Sequence, residues 1–112
     1  QIIKENIEYD ILSLRNERDI AMLDEIVDLM TETVCTQKAS LVIAGDTYPA
    51  AIVKSKLLKL NSEHIEYVID CMRENTTDIR HIKKYMLAAL FNAPSTIDSY
   101  YTTKVHHDMK HF

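Results

Sequence analysis

Residues 77–94 read TDIRHIKKYMLAALFNAP, and this stretch restricts the fold more than any other part of the chain. Its second half, Tyr85 through Phe91, is apolar without interruption. A helix apolar all round must be packed on several sides, so it belongs inside a bundle. In the first half Ile79, Ile82, Met86, Ala89 and Leu90 recur at helical spacing, while Arg80, Lys83 and Lys84 stay off that stripe. Thr77 suits an N-cap, and Asp78 in the first turn faces the positive end of the helix dipole. Asn92 and Pro94 predict a stop, because proline cannot continue the hydrogen-bond ladder and disfavours helical geometry before it. At roughly fifteen residues the segment falls short of the about twenty needed to cross a bilayer. It reads as the central helix of a small bundle.

The rest of the chain supplies partners for it. Ile2, Ile3, Ile7, Tyr9, Ile11 and Leu12 form a weakly periodic opening, either a short helix or an extended lead-in. Asp19 is placed to cap a helix over 20–36 with Leu23, Ile26, Val27, Met30 and Val34 on one face. Asp24, Glu25, Asp28 and Glu32 form its solvated face. Leu41–Tyr48 predicts a β-hairpin, with Gly45-Asp46 as turn chemistry. Gly45 is the one glycine of the chain, where average usage of ~7% would give about eight. So little glycine leaves few tight turns and favours helix. Pro49 suits the start of a helix over 50–60, with Ile52, Val53, Leu57 and Leu60 inward. Asn61 and Ser62 re-cap the chain before a helix over 63–74 that buries Ile65, Val68, Ile69 and Met72. After Pro94, Ser95 and Asp98 resemble a capping box for a last helix from Thr96 to about Met109. The expected fold is mainly α: a single domain of about five helices with one short hairpin near 41–48.

Charge and motif content narrow the function. The net charge is −4, yet residues 1–36 carry nine acids against three bases. An acidic domain is a poor stand-alone binder of a DNA backbone, although a local basic face can still act. No phosphate loop, nucleophile elbow or paired-cysteine metal motif occurs, so no catalytic residue, metal or cofactor is expected. Cys35 and Cys71 are expected to be free, partly buried thiols of a cytoplasmic protein. His107 and His111 stand at i, i+4, a spacing that can share one ion, but two histidines without a third ligand make a weak metal site.

The basic residues are the better candidates. Lys54, Lys56 and Lys59 on one helix and Arg80, Lys83 and Lys84 on another can be wet faces of amphipathic helices or can converge into a patch. Tyr100 and Tyr101, beside Lys104, can serve a partner interface or a stacked base, although packing explains at least one of them. The expected working surface joins Lys54, Lys59, Arg80, Lys83 and Lys84 in one positive strip, with the tyrosines at its end. The acidic helix over 20–36 is expected on the opposite side.

Long ungapped phrases carry a family likeness. VKSKLLKLNSEHIEYV, ENTTDIRHIKKYMLAALFNAPSTIDSYY and the closing HHDM, with IKENIEYDIL and IVDLMTETVC nearer the start, resemble the C-terminal domain of replication initiator protein A. Such initiators occur on plasmids and mobile elements of Gram-positive bacteria of the Firmicutes type. The resemblance implies a non-enzymatic domain of a longer initiator, consistent with a chain that opens on Gln1 rather than methionine. In those proteins a winged-helix domain binds the origin, and the C-terminal part is similar to the helical domain of the primosome component DnaD. DnaD-type domains carry a Tyr-x-x-x-Ile-x-x-x-Trp-like motif. Here Tyr85 is followed at i+4 by Ala89 and there is no tryptophan, so that likeness is one of fold.

Two functions are therefore weighed. One is an adaptor that docks host replication proteins of the helicase-loader or primase type, with weak DNA contact and no membrane. The other is a DNA-binding module, in which the helices over 63–74 and 77–92 form a helix-turn-helix and the hairpin a wing.

Overall fold

The computed structural model describes residues 2–74 and 81–109, the last twelve of these as backbone only. The described residues form six α-helices and one two-stranded hairpin: α1 (Ile2–Asn6), α2 (Tyr9–Arg15), α3 (Ile20–Val34), β1 (Ser40–Ile43), β2 (Asp46–Pro49), α4 (Ala50–Leu58), α5 (Ser62–Glu74) and α6 (Ile82–Met109). The mainly helical bundle with a hairpin near 41–48 is thus observed. Thr77, Asp78 and Arg80 lie outside the described residues.

The opening apolar residues form two short helices rather than an extended lead-in. Ile3, Ile7 and Leu12 enter the core, and Glu8 turns the chain between the helices at φ 55°. In α3 the expected residues Leu23, Ile26, Val27 and Met30 are buried, whereas Val34 is only half-buried. Asp19 does not cap this helix. Its carboxylate accepts from the Arg73 guanidinium instead, with Nε at 2.9 Å and Nη2 on the same oxygen. A charge-assisted bond from a distant helix outcompetes the local backbone N–H, and it ties the end of α5 to the start of α3.

The hairpin pairs Leu41 with Tyr48, Val42 with Thr47 and Ile43 with Asp46. Its two-residue turn is Ala44-Gly45, not Gly45-Asp46, and both turn residues have positive φ, 53° and 85°. That is the requirement of a type I′ turn, whose twist matches the strands, and it explains the single glycine. Ile43 is buried, and Tyr48 meets Phe91 with ring centroids 4.7 Å apart at 50°. Pro49 leads into α4, which buries Ala50, Val53 and Leu57, with Leu60 just beyond. Ile52, expected inward, is 47% exposed. It lies about 100° round the helix from Val53, off the covered face.

Helix α5 buries the four residues its spacing predicts, Ile65, Val68, Ile69 and Met72. It opens on a reciprocal cap: the His64 backbone N–H donates to Asn61 Oδ1 at 3.2 Å, and the Asn61 N–H donates to His64 Nδ1 at 3.1 Å. This is capping-box logic with histidine in place of glutamate.

Helix α6 differs most from expectation, because it does not stop at Asn92 or Pro94. It runs from Ile82 through Pro94 to Met109. The reason lies in its buried stripe. Met86, Leu90, Ala93 and Ile97 follow one another at i, i+4, i+7 and i+11, and none is more than 8% exposed. Ending the helix at the proline would pull Ile97 out of that register. Side chains on either side of the proline add bonds to helix carbonyls: Asn92 Nδ2 donates to that of Ala88 and Thr96 Oγ1 to that of Asn92, both at 3.0 Å. Tyr85 through Phe91 contains no exposed residue, and α6 packs against α3, α4, α5 and β1, as an all-round apolar run requires.

Cys35 and Cys71 are not joined in a disulfide; Cys71 is half-buried, while Cys35, at the C-cap of α3, is exposed rather than partly buried. No described helix is long and apolar enough to cross a membrane.

Candidate interaction surface

The buried face of α4 fixes where its lysines project. Lys54 is half-buried within α4, and Lys59 is exposed at its C-cap. Lys56 has no special standing in the sequence among the three surface lysines, yet it makes the most specific contact: its Nζ stands 4.3 Å from the centroid of the Phe91 ring. A cation over an aromatic face is attracted by the ring quadrupole, so Lys56 closes the Tyr48–Phe91 contact from outside. Lys83 and Lys84 are exposed in the first turn of α6. Arg80 lies outside the described residues, and Tyr100, Tyr101 and Lys104 belong to the part of α6 described as backbone only.

The acidic helix is not on the far side of the domain. Between α3 and α6 lies a cleft of about 280 Å³ lined by Leu29, Ile82 and Met86, by Glu25, Asp28 and Glu32, and by Lys83. Its origin is local. The buried face of α3 faces the core, and Leu29 borders that face half-covered. Glu25, Asp28 and Glu32, at i, i+3 and i+7, then line one edge of the helix beside it. The first turn of α6 brings Ile82, 39% exposed, against that edge. Lys83 therefore shares a cleft with three carboxylates. A dipolar surface with α3 and α6 at opposite poles is excluded by this packing.

The chemistry of the cleft is that of an anchor site. The cleft is small, at the lower edge of the range of about 300–1,000 Å³ typical of small-molecule sites. Its rim is net negative. Among the described residues no group of three or more His, Cys, Asp or Glu is disposed to hold a metal ion, and His107 and His111 fall among residues whose side chains are not described. A second, shallower cleft is lined by Lys4, Glu5, Glu8, Tyr9, Asp10 and Ile11. There the Tyr9 hydroxyl donates to Asp24, which raises the phenol pKa above its ordinary value. Lys4 Nζ lies 4.6 Å from the same ring.

Residues 1–111 match the family described as "Family of unknown function (DUF6017)". The chain belongs to that family. No curated protein and no solved structure matches it. The DUF6017 match takes in the hairpin, the cleft and the whole of α6 up to Met109, so all candidate residues lie inside the family's span. In this DUF6017 chain sequence reasoning finds Lys83 and Lys84 but misses the cleft beside them. The carboxylate spacing around Leu29 is visible in the sequence; that α6 would face it is not.

Proposed function

We propose that this domain is a non-enzymatic adaptor of a replication initiator of the plasmid and mobile-element type, working in the cytoplasm and docking host replication proteins of the helicase-loader or primase class. The phrases shared with replication initiator protein A support the setting. One structural observation supports adaptor over DNA reader: Tyr85 through Phe91 has no exposed residue. A recognition helix has to offer one whole face to the major groove. Here residues 85–91 of the helix in that position are covered by neighbouring elements, and the cleft at its start is lined mainly by carboxylates, which repel phosphate. Lys59 and Lys84 remain exposed and suit weak, sequence-independent contact with a DNA backbone.

A maintenance assay tests this reading. Deleting the segment encoding residues 1–112 should abolish maintenance of the replicon while origin binding by the remaining protein persists. Retained maintenance would refute the adaptor role. Loss of origin binding would favour the DNA-binding module instead.

A further inference from the structure

We propose that the cleft between α3 and α6 is a docking groove for a basic amphipathic helix presented by a partner protein, an inference that takes its biological setting from the adaptor reading above. Three features select that occupant. The floor of Leu29, Ile82 and Met86 accepts aliphatic side chains, and its size suits an anchor rather than a cofactor. Glu25, Asp28 and Glu32 stand about one helical turn apart along roughly 10 Å of α3. A helix lying alongside, with lysine or arginine once per turn beside its apolar residues, meets all three. Such a helix-in-groove mode uses apolar anchors for affinity and rim charges for orientation. Among the described residues Lys83 is the one base in the lining, and it opposes a basic partner. Its removal should therefore strengthen binding, the reverse of what a positive working strip would show.

The test uses the whole chain and a fluorescein-labelled fifteen-residue peptide of leucine and lysine, patterned with lysine at one-turn spacing. Its comparators are a peptide with glutamate for each lysine and a scramble of equal composition. The patterned lysine peptide should bind at a single site and shift the methyl resonances of Leu29 and Met86. Removing the three rim charges together, with Glu25→Gln, Asp28→Asn and Glu32→Gln, should weaken it about tenfold, since each exposed pair is worth a few-fold. Lys83→Gln should tighten it several-fold. If the scramble or the glutamate peptide binds equally well, or the shifted methyls lie elsewhere, the groove is not the site. A partner helix is equally ruled out if dilution of the peptide-free protein moves these methyls, because the occupant is then a second copy of this chain. Should the triple variant lose its helical circular-dichroism signal, Lys83→Gln and the wild-type methyl map decide between these outcomes. The two readings fail separately. Peptide binding together with retained maintenance after deletion sinks the adaptor, and lost maintenance without peptide binding sinks the groove.

Discussion

Leu90→Ala should lower the unfolding free energy by about 2–5 kcal/mol, through lost burial and the cavity left behind. Leu90 is fully buried, midway along the stripe that α6 presents to the core. Its helix is held by α3, α4, α5 and β1, so four elements would have to move to refill the space. Packed interiors relax only in part, which places the loss toward the upper half of that range. Denaturant unfolding measures it directly, and a loss below about 1 kcal/mol would mean that α6 is not the central element.

Pro94→Ala carries the second large effect, in the opposite direction. A proline inside a helix removes one hydrogen bond and sets its ring against the carbonyl four residues earlier, here that of Leu90, at a cost of about 3 kcal/mol. Pro94 is exposed, so its replacement gives up little packing. Alanine restores the missing N–H, and the looser unfolded chain takes back about 0.5–1 kcal/mol. The net expectation is a gain of about 2 kcal/mol, raising the melting temperature by roughly 5–10 °C. An unchanged or lowered melting temperature would show that the helix does not run across this position.

These two positions also mark how far the sequence can be read. Where an apolar set has helical spacing and no competing signal, as in Ile65, Val68, Ile69 and Met72, the buried face follows directly. The hairpin is legible for a similar reason, since β-branched residues precede the one glycine. Pro94 misleads because a local breaker signal takes no account of the burial of Ala93 and Ile97 on either side of it. A local cost of a few kcal/mol yields when two buried residues depend on continuity. Ile52 fails differently: an apolar residue marks a face as available for burial, and only the neighbouring elements decide whether it is covered. The cleft shows the same limit. Glu25, Asp28 and Glu32 have the pattern of an ordinary wet face, and their meaning arises from Ile82 and Met86 in a helix some fifty residues further on.

A gel-shift titration with duplex DNA at about 50 mM and 200 mM salt tests most directly whether this domain is an adaptor or a DNA reader. Little binding at either salt, with no steep dependence, is the expected result. A domain that neutralises six or more phosphates would instead bind tightly at the lower salt and lose at least about 10³ in affinity at the higher one. That second outcome would contradict the adaptor reading and show that the covered run Tyr85–Phe91 does not keep this domain off DNA.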